Sequence, residues 1–152
     1  MKSLYCGYVK CLKFLQSVFL LLIRLYWGWS FFTAGRGKFG DIEKVVGFFT
    51  KLNIPHPQAN AYLVASVETF CGLLLLAGLM SRIITVPLII AMTVALLTAH
   101  ADATHALIAD PDTFFSQAPF LFLYASVIVW LFGPGKISLD YLLCKLTRRN
   151  HE

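Results

Sequence analysis

The chain has 152 residues, enough for one domain, and 58% of them are hydrophobic while only 14% are charged. With a mean hydropathy of +0.70, this composition excludes an ordinary soluble domain, whose core could not bury so much apolar surface. The net charge of +5 does not indicate nucleic-acid binding, because the basic residues lie at the ends of apolar stretches and form no dense patch. We therefore predict a single integral membrane domain over residues 1–152.

Four apolar stretches approach the roughly 20 residues that a helix needs to cross a bilayer. They predict an all-α protein, a bundle of four transmembrane helices at residues 12–33, 59–80, 83–100 and 114–132. The first stretch follows several lysines, as a secretory signal would, but it ends in bulky aromatic residues where a cleavage site would have small ones. We therefore expect it to be retained as a helix that Gly35 and Gly37 break.

Two shorter amphipathic helices are predicted to lie at the membrane surface. Asp41 can cap the first, over residues 41–52, whose apolar side chains recur at helical spacing. A Gly-Pro-Gly turn at 133–135 ends the fourth span. Ser138 can then cap the second surface helix, over residues 138–147, which has one leucine stripe and a basic end.

The distribution of basic residues predicts how the chain is oriented. Four crossings place both termini on one side of the membrane, and that side carries the larger share of basic residues: Lys2, Lys10, Lys13, Arg82, Lys136, Lys145, Arg148 and Arg149. The other side has Arg36, Lys38, Lys44 and Lys51. By the positive-inside rule, both termini are expected in the cytoplasm.

Metal and thiol chemistry have little support in the sequence. The four cysteines, Cys6, Cys11, Cys71 and Cys144, have no C-x-x-C spacing. The segment after the third span contains His100, Asp102 and His105, but their spacing is not a strong ligand pattern. We predict no metal site, interpret the segment as an exposed outer loop, and assign no catalytic residue.

Two charged residues, Arg24 and Glu68, fall near the centres of the first and second predicted spans. A charge at mid-bilayer costs at least about 2.5 kcal/mol, so each needs a partner. Because antiparallel packing would bring them to a similar depth, we predict a buried Arg24–Glu68 ion pair. The pair either fixes which helix faces which, or lines a polar pocket that binds a ligand head group or moves a proton. Lys38, beside two glycines, and His100 are predicted at the outer rim of that pocket.

Arg24 in the first span is followed by A-G-x-x-K-F at 34–39, by E-x-x-x-G-L-L-L-L-A-G-L-x-x-R at 68–82 and by G-P-G-x-x-S-L-D at 133–140. In this order and spacing, these pieces resemble the DoxX family of small four-helix bacterial membrane proteins. The resemblance implies an inner-membrane bundle related to the quinone-linked thiosulfate oxidoreductase subunit that gave the family its name. It also implies, as in some members, a membrane partner for thiol or oxidative-stress enzymes. The family's recurring charged positions are matched here by Arg24, Lys38, Glu68 and Arg82.

The sequence therefore predicts an integral subunit of the lipid bilayer that is quinone- or redox-associated and works with a separate redox enzyme. At most it would be a membrane subunit of an oxidoreductase system. Its ligand site would consist of Arg24, Lys38, Glu68 and His100, with a quinone as one candidate cofactor. Two alternatives stay open: a structural or assembly protein without its own chemistry, and a permease-like bundle for a small solute or protons. The ligand, the partner enzyme and a homo-oligomeric state also stay open.

Overall fold

The computed structural model describes residues 2–149, and over that range the chain is built from helices without a strand. This confirms the prediction of an all-α protein. Met1 and residues 150–152, which the predicted domain includes, lie outside the described residues. The helices are α1 (Lys2–Gly40), α2 (Ile42–Lys51), α3 (Pro57–Ala77), α4 (Ser81–Thr98), α5 (Ala101–His105), α6 (Pro111–Phe115), α7 (Ala118–Phe132) and α8 (Leu139–Arg149), with a 3-10 turn at Ala106–Ile108.

Helix α1 departs most from the sequence prediction. It continues without interruption from Lys2 to Gly40, so the prediction that Gly35 and Gly37 break it is wrong. Gly35 lies where α1 meets α3, and a β-carbon added to it would lie 2.9 Å from the carbonyl oxygen of Ala65. This glycine therefore serves the close packing of two helices, and packing outweighs its weak helix propensity.

Small residues also bring α1 and α3 together further along their antiparallel contact. A β-carbon on Gly28 would lie 2.9 Å from the backbone nitrogen of Leu76, and one on Gly72 would lie 2.6 Å from the backbone nitrogen of Phe32. Backbones approach this closely in membrane helix pairs when small residues face each other. These contacts determine which residues of α1 and α3 lie at the same height.

Helices α4 and α7 complete the bundle around an apolar core. Gly78 ends α3 in the left-handed conformation with φ of +69°, which a glycine adopts without strain, and α4 returns from Ser81. The core side chains come from all four helices: Phe31, Leu75, Ile84, Leu88, Met92 and Val129.

By length and composition, two helices in the described part of the chain, α3 and α4, can cross a membrane, whereas α7 is a shorter apolar helix. Helix α7 begins at Ala118 and not at the predicted residue 114, because α6 occupies Pro111–Phe115 and Pro119 falls in the first turn of α7. Four crossings therefore stay a prediction.

Both predicted amphipathic helices are present. Helix α2 has no buried residue and begins directly after Asp41, although the Asp41 side chain makes no capping hydrogen bond. At α8, the hydroxyl oxygen of Ser138 accepts a hydrogen bond from the backbone nitrogen of Tyr141 at 3.2 Å. The predicted cap of the last helix is confirmed.

The segment between α4 and α7 is more ordered than a polar loop, since it contains α5, the 3-10 turn and α6. Asp110 caps α6 by accepting a hydrogen bond from the backbone nitrogen of Thr113 at 3.4 Å. The hydroxyl of Thr113 also donates to the same carboxylate, and these hydrogen bonds lower the pKa of Asp110.

Candidate functional site

The charged pair inside the bundle is formed by Lys38 and Glu68. Glu68 lies on the face of α3 that packs against α1, and it is only 2% exposed. Lys38 follows Gly35 by one turn on the contacting face of α1, and its amino group donates a hydrogen bond to Oε2 of Glu68. The Lys38 side chain is 30% exposed. The pair therefore has one end sealed between helices and one end that another molecule can reach.

The predicted Arg24–Glu68 ion pair is wrong. The Arg24 guanidinium lies at the end of α3, where a β-carbon on Gly78 would be 2.7 Å from its Cζ. Glu68 precedes Gly78 by ten residues, or about 15 Å along an α-helix. The prediction inferred the depth of Arg24 in the membrane from a span that ends at residue 33, whereas α1 continues to Gly40. The glycine contacts then place Lys38 beside Glu68 and leave Arg24 at the end of α3.

Arg24 binds the segment that joins α7 to α8. Its Nη1 donates to the carbonyl oxygen of Pro134 at 2.8 Å, and its Nη2 donates to that of Ile137 at 2.9 Å. The side chain is almost fully buried. Because both acceptors are backbone carbonyls of the same chain, Arg24 stabilises this end of the bundle and has fewer donors left for a ligand.

Asp140 stabilises the same end of the bundle. Its carboxylate accepts hydrogen bonds from the backbone nitrogens of Met80 at 2.7 Å and Ser81 at 3.0 Å. These are the free N–H groups at the start of α4, so a residue of α8 caps a helix that lies far away in sequence. The backbone nitrogen of Asp140 also donates to the carbonyl oxygen of Gly78 at 3.0 Å.

His100 is not brought into contact with the charged pair. It precedes α5 and is half-buried, and the described contacts include no hydrogen bond or ion pair between it and Lys38 or Glu68. Asp102 and His105 are exposed. Within residues 2–149, no group of three or more His, Cys, Asp or Glu side chains could hold a metal ion.

The described cysteine side chains are all free thiols: Cys11, Cys71 and Cys144. The side chain of Cys6 lies outside the described part of the structure. No two of these described thiols are joined in a disulfide.

A cavity of about 340 Å³ lies at the Arg24 end of the bundle, between α1 and the α7–α8 segment. It is distinct from the predicted pocket between the first two spans, since neither Arg24 nor Glu68 lines it. The lining residues are Lys13, Gln16, Ser17, Leu20, Arg82, Phe132, Gly133, Pro134, Gly135 and Lys136.

The sequence model of the DoxX family matches residues 19–101, which is more than half of the chain. The chain belongs to the DoxX family. The resemblance drawn from the sequence is thereby confirmed, and the matched region contains Arg24, Lys38, Glu68 and His100. No solved structure matches the chain at a significant level.

Relatives of this DoxX protein occur in several bacteria. It is 30% identical over 125 residues to the Bacillus subtilis protein named "Putative oxidoreductase CatD", covering 82% of this chain and 87% of that protein. It is 32% identical over 139 residues to an uncharacterized membrane protein of Mycobacterium tuberculosis, covering 83% and 82%. An uncharacterized protein of Haemophilus influenzae is 27% identical over 137 residues, covering 86% and 87%. Family and relatives identify a membrane protein.

Sequence reasoning missed two features of this DoxX protein that determine its geometry. The first is the contact of Gly28 and Gly35 with α3. Their seven-residue spacing, matched on α3 by Ala65 and Gly72, is a small-residue stripe that would have indicated the helix register. The second is the cap that Asp140 provides to α4, for which no local pattern exists because the partners lie about 60 residues apart.

Proposed function

We propose that this DoxX protein is a multi-pass subunit of a redox system, a single domain in the bacterial inner membrane with both termini in the cytoplasm. In this proposal α1, α3, α4 and α7 each cross the bilayer. The apolar outward faces of these four helices support the proposal, because contact with lipid requires an apolar surface. The large exposed side chains on these faces include Leu22, Leu25, Leu63, Phe70, Leu73, Ile83, Ile90, Leu97, Tyr124 and Leu131.

We also propose that Lys38 and Glu68 form the ligand site, with a quinone or a small organic acid as the ligand. The observation that carries this proposal is the asymmetric burial of the pair, with Glu68 sealed and Lys38 partly accessible. The Lys38 ammonium would donate to a carbonyl or carboxylate oxygen of the ligand, and Glu68 would accept or release a proton. His100 enters the proposal as a rim residue, and Arg24 stabilises the other end of the bundle.

A redox role for the site rests on the family and on the name of one relative. Quinone chemistry requires that a proton accompany the electrons, and a buried carboxylate beside a cation is a suitable carrier inside a membrane. The electrons would come from a separate enzyme. In this arrangement the DoxX protein binds and protonates the quinone, and its partner oxidises the substrate.

The proposal is tested by labelling with a photoreactive quinone analogue in lipid nanodiscs. The label should attach to peptides around residues 35–40 or 65–72, and excess unlabelled quinone should prevent it. Glu68→Gln should lower the labelling at least tenfold, whereas Glu43→Gln, a matched change at an exposed position of α2, should leave it unchanged. Equal labelling of both variants, or labelling that quinone does not compete, would refute the proposed site.

A structural role is the second candidate, because the Lys38–Glu68 pair joins α1 to α3 directly. Replacing a buried ion pair by apolar side chains of similar size is often neutral for stability. If Lys38→Met/Glu68→Leu accumulates normally and supports the partner enzyme as the wild type does, the pair serves helix packing alone.

A further inference from the structure

The cavity at the Arg24 end of the bundle is positively charged. Three cationic side chains, Lys13, Arg82 and Lys136, line it, and no acidic residue does. In the described part of the chain, none of the three forms an ion pair. They come from three separate elements, namely α1, the first turn of α4 and the α7–α8 segment. In the folded protein these three positive charges line one cavity and repel one another. An anion bound between them would offset that repulsion.

Arg82 has donors that the protein leaves free. Its Nη2 donates to the carbonyl oxygen of Leu131 over 3.4 Å, which is a long hydrogen bond, and no other acceptor for it occurs among the described residues. A β-carbon on Gly133 would lie 3.3 Å from Nε of Arg82. The glycine therefore lets the guanidinium of Arg82, a residue that lines the cavity, lie against the backbone. A guanidinium edge with free N–H groups is suited to bind phosphate oxygens.

The position of the cavity along the bundle indicates where such an anion would come from. Arg82 is the second residue of the apolar helix α4, and Lys136 follows the last residue of the apolar helix α7 by four positions. Cations directly after apolar spans lie at the level of lipid headgroups. Phe132 lines the cavity and is 59% exposed, and the adjacent Leu131 is 58% exposed. An apolar surface beside the basic cavity is available to acyl chains.

We propose that this basic cavity binds the phosphate headgroup of an acidic phospholipid, with the acyl chains lying along Leu131 and Phe132 of α7. The ligand would be held by Arg82 and Lys136 on one side and by Lys13 on the other. The amide nitrogen of Gln16, also in the cavity lining, is a further donor. This site is separate from Lys38 and Glu68, so its function does not depend on quinone binding.

The test uses the full chain in detergent and compares short-chain phosphatidylglycerol, phosphatidylcholine with the same chains, and inorganic phosphate. Native mass spectrometry measures bound lipid, and the thermal unfolding midpoint measures stabilisation. Phosphatidylglycerol should be retained over phosphatidylcholine. That preference should fall about fivefold for each cation replaced by glutamine, as expected for basic residues at a membrane surface.

The matched control replaces three cations at the other end of the bundle: Arg36→Gln, Lys44→Gln and Lys51→Gln. It should keep the preference that Lys13→Gln/Arg82→Gln/Lys136→Gln loses. Lys136→Gln alone, at an exposed position, preserves the test if the triple variant does not fold. An unchanged preference in Lys136→Gln would overturn the proposal. Equal stabilisation by inorganic phosphate would assign the cavity to a soluble anion and would also overturn it.

Discussion

Gly72→Ala should destabilise the bundle by separating α1 from α3. The added β-carbon would lie 2.6 Å from the backbone nitrogen of Phe32 and 3.0 Å from the carbonyl oxygen of Gly28. Both are backbone atoms, so a side-chain rotation cannot relieve the overlap and the helices must move apart. Overpacking of this kind costs about 1–3 kcal/mol. Alanine regains about 1 kcal/mol of helix propensity, so a net loss of up to about 2 kcal/mol is expected.

Gly37→Ala is the matched control for this substitution. Gly37 lies in the same long helix α1, and a β-carbon on it would have no atom within 4 Å. It should therefore stabilise the protein by up to about 1 kcal/mol through helix propensity alone. Unfolding by sodium dodecyl sulfate in mixed micelles, followed by circular dichroism, measures both variants. A Gly72→Ala protein as stable as Gly37→Ala would refute the close α1–α3 contact.

Three further predictions concern polar groups. Arg24→Gln should lower the free energy of unfolding by about 3 kcal/mol, because two charge-assisted hydrogen bonds to backbone carbonyls are lost; a loss in the same micelle assay of under about 1 kcal/mol would contradict the observed contacts. Asp140→Ala should cost about 1 kcal/mol through the lost cap of α4, and exposed Asp112→Ala should cost less; equal effects would refute the capping. Lys38→Met should cost about 3–5 kcal/mol by leaving Glu68 unpaired. Lys38→Met/Glu68→Leu should recover most of that loss, and additive effects in this cycle would show that the two residues are not coupled.

The helical content of this protein could be predicted from its sequence because hydropathy and caps are local signals. The apolar runs correctly placed α3 and α4, and helical spacing with a serine cap correctly predicted α8. Ser138 was identifiable because its capping partner, Tyr141, is three residues away. Such features depend on neighbouring residues, which a sequence displays directly.

The pairing of the charges could not be predicted in the same way, because it depends on how two helices slide past each other. A shift of one turn changes the height of a residue by about 5.4 Å, and the glycine contacts place Lys38 beside Glu68. Gly35 was misleading, since a glycine near a predicted helix end suggests a break, whereas here it serves packing inside α1. The role of Asp140 was hidden for a similar reason, since the backbone N–H groups that donate to its carboxylate, those of Met80 and Ser81, lie in a distant part of the chain.

The proposed quinone site consists of the buried Glu68 and the partly exposed Lys38. The most direct measurement is an absorbance spectrum with lipid-extract mass spectrometry on the gently purified wild type, beside Glu68→Gln and Glu43→Gln. A quinone should co-purify with the wild type and with Glu43→Gln, and it should be lost from Glu68→Gln. A wild-type protein without bound quinone, or a Glu68→Gln protein that retains it in full, would contradict the claim.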